Sequence, residues 1–111
     1  MSVGSYVPHH ILVQEVNEEC DRLNTEACKT ESEYKQAIKV RKRCVTEHRR
    51  LMRDAESRVF TLHRMHVLEE VFQKLLNAYC HEGIKKKAFL VANAKARRKR
   101  AYAFKFRSQA W

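Results

Sequence analysis

Glycine and proline are almost missing from this chain: its 111 residues include two glycines and one proline. Between Pro8 and Gly83 there is neither. Tight turns depend on these residues, so a β-rich fold built on many such turns is excluded. No apolar run approaches the roughly 18–20 residues that a membrane span requires, and the mean hydropathy is −0.63. The opening MSVGSYVPHH has no basic segment leading into an apolar one, which argues against a secretory signal. It also lacks arginine, which argues against a cleavable mitochondrial presequence but leaves other import routes open.

Motifs of catalysis are lacking as well. There is no glycine-rich phosphate loop and no G-x-S-x-G elbow. Acidic residues are spread at helical surface spacing, where a solvated ion-pair role is ordinary, so a non-enzymatic protein without a cofactor is expected. The four cysteines, Cys20, Cys28, Cys44 and Cys80, are separated by 7, 15 and 35 residues and contain no CxxC pair. They depart from the twin C-x9-C pattern too. Reduced cysteines acting as small apolar packing residues fit this spacing, which places the protein in a reducing intracellular compartment, mitochondrial or cytoplasmic. Cys44 with His48 and Cys80 with His81 would offer zinc four ligands only if a hairpin joined them. Structural zinc sites draw on closer pairs set on turns, so no metal is expected. His63 and His66 lack the glutamate of an HExxH helix.

The last absence is acid. Residues 83–111 contain no Asp or Glu, yet hold Lys85, Lys86, Lys87, Lys95, Arg97, Arg98, Lys99, Arg100, Lys105 and Arg107. The net charge of +10 lies wholly here, because residues 1–82 carry 13 cations and 13 anions. Phe89, Tyr102, Phe104, Phe106 and Trp111 are interleaved with the cations. Lys and Arg suit phosphates, and aromatic faces suit unpaired bases. The expected polyanion-binding set is therefore those ten cations with Tyr102, Phe104 and Phe106. An acidic protein lattice or an anionic membrane surface would use the same charge, and KARRKR also matches a nuclear-import signal at low specificity. The competing role is internal: residues 15–33 have a net charge of −5, and a tail folded back on them would still keep half its charge. A second basic patch, Lys39, Arg41, Lys42, Arg43, Arg49, Arg50 and Arg53, surrounds Glu47.

What is present in quantity is heptad periodicity. Alternating steps of three and four from Val13 pass through Val16, Cys20, Leu23, Ala27, Thr30, Tyr34, Ala37, Arg41, Cys44, His48, Leu51, Ala55, Arg58, Leu62, Met65, Glu69, Phe72, Leu76 and Tyr79. Fifteen of these twenty are apolar, so they predict one buried helix face. Ile38, Val45, Met52 and Val59 lie one step beside it, and Val67, Leu68, Val71 and Leu75 widen it. A stripe broader than a two-stranded zipper needs predicts more than one neighbour. Val13, Val16, Leu23, Leu51, Val59, Leu62, Phe72 and Leu76 are the expected contacts with a partner helix. Arg41 on this seam calls for an acidic group from a partner.

The expected fold is all-α. After an N-terminal arm (1–8), a long amphipathic helix spans 9–82, running unbroken or kinked, with a break at Asn24–Thr30 as the alternative. Thr30 and Glu33 have capping-box spacing there. Gly83 is expected to end the helix in a Schellman cap with Ile84 folded onto Tyr79. The basic segment 83–111 then forms a shorter helix, with an alanine face of Ala88, Ala92 and Ala96, and an extended arm from Tyr102 to Arg107, where the period becomes two. Truncation after Glu82 is expected to leave helicity per residue in the remainder nearly unchanged. Taken together, these features predict a structural subunit of a large assembly. It docks by its apolar stripe and is anchored to RNA, in a ribonucleoprotein such as a divergent organellar ribosome. A microtubule-associated ciliary or cytoskeletal coiled coil, or an accessory subunit of a mitochondrial membrane complex, are the alternatives.

Overall fold

A computed structural model of the chain describes residues 8–57 and 61–109. Two α-helices make up the described residues: α1, His9–Ser57, and α2, Leu62–Gln109. The N-terminal arm before Pro8, the seam residue Arg58, the stripe residue Val59 and the aromatic Trp111 lie outside what is described. Pro8 starts α1, its carbonyl accepting the Ile11 and Leu12 amides at 3.0 and 3.2 Å. Thr61 caps α2. Its Oγ1 accepts the Arg64 amide at 3.2 Å and its carbonyl accepts that of Met65 at 3.0 Å, an N-cap arrangement.

Three expectations are corrected here. The first concerns the break: the helix does not run from 9 to 82, and it does not break at Asn24–Thr30. α1 passes through that stretch intact and is described to Ser57; Thr61 is not helical, and α2 begins at Leu62. The threonine hydroxyls of this stretch, including that of the expected cap Thr30, are occupied within the helix. Thr25 donates to the Asp21 carbonyl at 2.8 Å, and Thr30 donates to the carbonyls of Glu26 and Ala27 at 3.0 Å each. Glu33, the other half of the supposed capping box, instead accepts Lys85 Nζ at 3.2 Å. Threonine satisfied by the preceding turn is compatible with a helix interior.

The second correction is Gly83, which lies inside α2. No described residue has a positive φ, so the left-handed Schellman position is not formed. The third is the arm. Residues 102–107 are helical, because Ala103 and Phe106 continue the inward face of α2 while Tyr102 and Phe104 point elsewhere. The alternation of aromatics resembled a strand, but the alanine between them carries the contact: Ala103 is fully buried.

The described residues form two compact units. One draws on Met1–Thr30 and Phe89–Trp111, of which 8–30 and 89–109 are described; the other is Glu31–Ala88. In the first unit the two helical segments run antiparallel. His9 meets Phe106 with ring centroids 5.1 Å apart, and Leu23 and Ala27 pack on Ala92 and Ala96. The second unit is antiparallel too, with Glu33 joined to Lys85, Arg41 to Glu82 and His48 against Phe72 at 5.7 Å.

On α1 the buried and half-buried positions include every heptad residue from Val13 to Ala55, so this seam is the packed face. On α2 the packed face is Arg64, Leu68, Val71, Leu75, Ala78, Glu82 and Lys85 in the second unit. It continues as Phe89, Ala92, Ala96, Lys99, Ala103 and Phe106 in the first. These positions also step by four and three, one residue earlier than the phase carried over from α1. Much of the core is alanine: Ala27, Ala37, Ala78, Ala92, Ala96 and Ala103 are all buried. Small side chains at facing seam positions let two helices approach closely, and any added methylene is felt.

Candidate functional site

The basic segment occupies the C-terminal half of α2, where good helix formers support it without a cap at Gly83. Of its cations, Lys86, Lys87, Lys95, Arg97, Arg98, Arg100, Lys105 and Arg107 are exposed, and Lys85 and Lys99 are half-buried. Lys85 is paired with Glu33 at 3.2 Å. Among the described residues it is the one tail cation in an ion pair with a carboxylate. The remainder have no carboxylate in direct ion-pair contact, although Glu19 of the acidic stretch lies beside Lys95, Arg98 and Lys99.

In the first unit a shallow open recess of about 520 Å3 is lined by Glu19, Arg22, Leu23, Lys95, Arg98, Lys99 and Tyr102. Arg22 Nη2 lies 3.3 Å from Glu19 Oε1 on its own helix. Lys99 Nζ sits 5.1 Å from the centre of the Tyr102 ring, a cation–π contact. Cations from two helices and an aromatic face thus converge on one hollow. Arg22 was not among the expected site residues, since the sequence shows it as a lone base within an acidic stretch. Its role is visible only once α2 is folded alongside.

The three rings differ. Tyr102 and Phe104 are exposed, but Phe106 is half-buried, held between His9 at 5.1 Å and Tyr102 at 6.1 Å. Phe106 therefore serves packing, while Tyr102, with Lys99 over its ring and Phe106 stacked beside it, and Phe104 stay more than half exposed. Arg107 Nε donates to the Ala103 carbonyl at 3.3 Å, which ties it to its own helix.

The expected partner stripe divides. Val13, Val16, Leu23 and Leu51 are half-buried on the α1 seam, and Leu23 packs against α2, so they serve the chain's own fold. Leu62, Phe72 and Leu76 are exposed, one step off the α2 seam. The acid required by Arg41 is also internal. Arg41 Nε donates to Glu82 Oε2 at 2.7 Å and Nη2 to Oε1 at 3.3 Å, a two-pronged pair, and the guanidinium lies 5.6 Å from the Tyr79 ring centre. The hydrogen bond from Arg41 holds the Glu82 carboxyl below its ordinary range, against the opposing effect of desolvation. The same bond raises Arg41.

All four cysteines are unpaired; Cys20 is buried, Cys44 half-buried, and Cys28 and Cys80 are exposed. Among the described residues no group of three or more His, Cys, Asp or Glu is placed to hold a metal ion. Nor, among them, is any helix long and apolar enough to cross a membrane. No protein-family model, curated protein or solved structure matches the chain.

Proposed function

We propose that this protein is a non-enzymatic structural subunit of a larger assembly, and that the C-terminal half of α2 with the recess beside it binds RNA. The observation that carries this reading is the convergence of Arg22, Lys95, Arg98 and Lys99 around the exposed ring of Tyr102. Further exposed cations continue along the same helix. Phosphates and unpaired bases together use both components. A ribonucleoprotein in a reducing compartment, cytoplasmic or mitochondrial, is the proposed setting, a reading that rests on the cysteine spacing.

One observation favours a second reading, an acidic protein lattice such as a microtubule: Phe106 is committed to packing, which leaves fewer rings for bases. An accessory role in a mitochondrial membrane complex would draw on the charge alone. The test uses the full chain. Removing residues 83–111 would strip α1 of its packing partner in the first unit, so charge and ring substitutions are the informative variants. If about six cations meet single-stranded RNA phosphates, log affinity falls against log salt with a slope near −4. Tyr102→Ala with Phe104→Ala keeps every charge and is expected to weaken RNA binding by ~1–3 kcal/mol per stacked ring at fixed salt. Unchanged affinity in that double variant, beside tight salt-dependent binding to an acidic lattice, would transfer the function to the second reading.

A further inference from the structure

The second unit, Glu31–Ala88, has two unlike edges. Between Glu31 and Lys86, which hold the same register at the far end of the unit, the positions that flank the seam on one side are Ile38, Val45 and Met52 from α1 and Met65, Phe72 and Tyr79 from α2. In an antiparallel helix pair these positions line the same edge. All six are apolar or aromatic. Leu76 adjoins them, and Met52, Phe72, Leu76 and Tyr79 are each between 42% and 50% exposed. The opposite edge carries Glu33, Val40, Glu47 and Asp54 from α1 with Val67, Lys74 and His81 from α2, polar at five of seven positions. One edge of this pair is finished and the other is not.

The charge next to the apolar edge indicates what covers it. On α1 the neighbouring positions end at Glu56 but otherwise present five exposed cations, Lys35, Lys42 and Arg49 with Lys39 and Arg53 behind them. Among the described residues Lys35 alone of these five has an ion-pair partner, Glu31 at 3.0 Å. On α2 the corresponding rim is nearly neutral, with Glu69, Leu76 and Gly83. A second copy of the chain would bring the same cations to this edge, with Glu31, Glu56 and Glu69 to meet them and Glu31 already paired with Lys35. Gly83 on this rim leaves room for a neighbouring helix. A glycine inside a helix weakens it relative to alanine, and nothing within the chain lies within 4 Å of a side-chain carbon placed there. The room serves no internal neighbour, whereas a helix laid along this rim would use it for close backbone approach.

We infer that this edge of the second unit docks a helix from an acidic protein, one whose apolar stripe is bordered by Asp and Glu. The inference rests on the subunit reading above but is independent of RNA. Apolar contact along Val45, Phe72 and Leu76 would supply affinity, and pairing of the partner's carboxylates with Lys42 and Arg49 would fix its orientation.

The experiment uses the full chain and a synthetic peptide of roughly four heptads, with Leu at the a and d positions and Glu at e and g. Self-repulsion keeps this peptide unfolded when alone, so binding is read by titration calorimetry and by the helicity it gains. The expected result is saturable one-to-one binding. Lys42→Glu with Arg49→Glu, and separately Leu76→Asp, should each weaken it about tenfold or more. Lys74→Glu, on the opposite edge, should not weaken it. Four outcomes would overturn the inference. The peptide fails to bind; a Ser-for-Leu version binds equally well, which makes the site a generic polyanion contact; Leu76→Asp abolishes self-association instead, which assigns the edge to a second copy; or vesicles rich in phosphatidylserine bind in place of the peptide and lose binding in the same variants. RNA affinity of the same variants, read in parallel, separates failure here from failure of the RNA reading.

Discussion

At the scale of the residue, Gly83 and Glu82 make opposite contributions to one turn of α2. Gly83 is exposed, helical and without neighbours, so its replacement by alanine should stabilise the isolated chain by about 0.5–1 kcal/mol. Thermal unfolding followed by circular dichroism checks this. A loss of stability would mean that the position needs the left-handed conformation after all. Glu82 ties α2 to Arg41, and its folded-state pKa lies below the ordinary value. Its contribution is therefore complete above the unfolded carboxyl pKa of about 4.3 and is lost as pH falls through the lower folded value. Arg41 stays charged throughout, since its own shift is upward. The melting temperature of the wild type should consequently drop more steeply on acidification below about pH 4.3 than that of Glu82→Gln. Parallel curves would remove the pair from the acid response.

At the scale of the element, the inward face of α1 was legible residue by residue. From Val13 to Ala55 the heptad read in the sequence is the face that packs, including the polar members Thr30, Arg41 and His48. The all-helical class was legible for the same reason, since periodicity without breakers leaves few alternatives. The place where the helix ends was not legible. The segment around Arg58–Thr61 has no glycine or proline, and Thr61 lacks the Glu three residues later that marks a capping box. Carrying the phase of α1 across that point put Phe72 and Leu76 on the seam, when Val71 and Leu75 hold it. The alanine face was legible in part: Ala92 and Ala96 are buried as expected, whereas Ala88 is exposed and Ala103 was not anticipated. Ala92, Ala96 and Ala103 are weak hydrophobic signals in a sequence, yet they are buried here because close approach favours small side chains. Ala96, only 1% exposed, should accordingly resist enlargement: Ala96→Leu is expected to cost about 1–3 kcal/mol. Ala88→Leu, on the exposed surface of the same helix, should cost close to nothing. Chemical denaturation of the two variants provides the comparison, and equal stabilities would contradict a tight alanine seam.

At the scale of the whole molecule, composition located the charge but not its surroundings. The ten tail cations were identifiable as a block, whereas the contribution of Arg22 and the withdrawal of Phe106 depended on pairing residues far apart in the chain. One of those pairings has a consequence for topology. Because His9 rests against Phe106, the first turn of α1 and the last turns of α2 are neighbours. Two helices whose outer ends meet can be joined in the other order. Linking the two ends and opening the polypeptide between Ser57 and Leu62 gives a circular permutant in which α2 is synthesised first. Every seam contact described above is available to that permutant, so the order in which the helices leave the ribosome is separable from the matching of their faces.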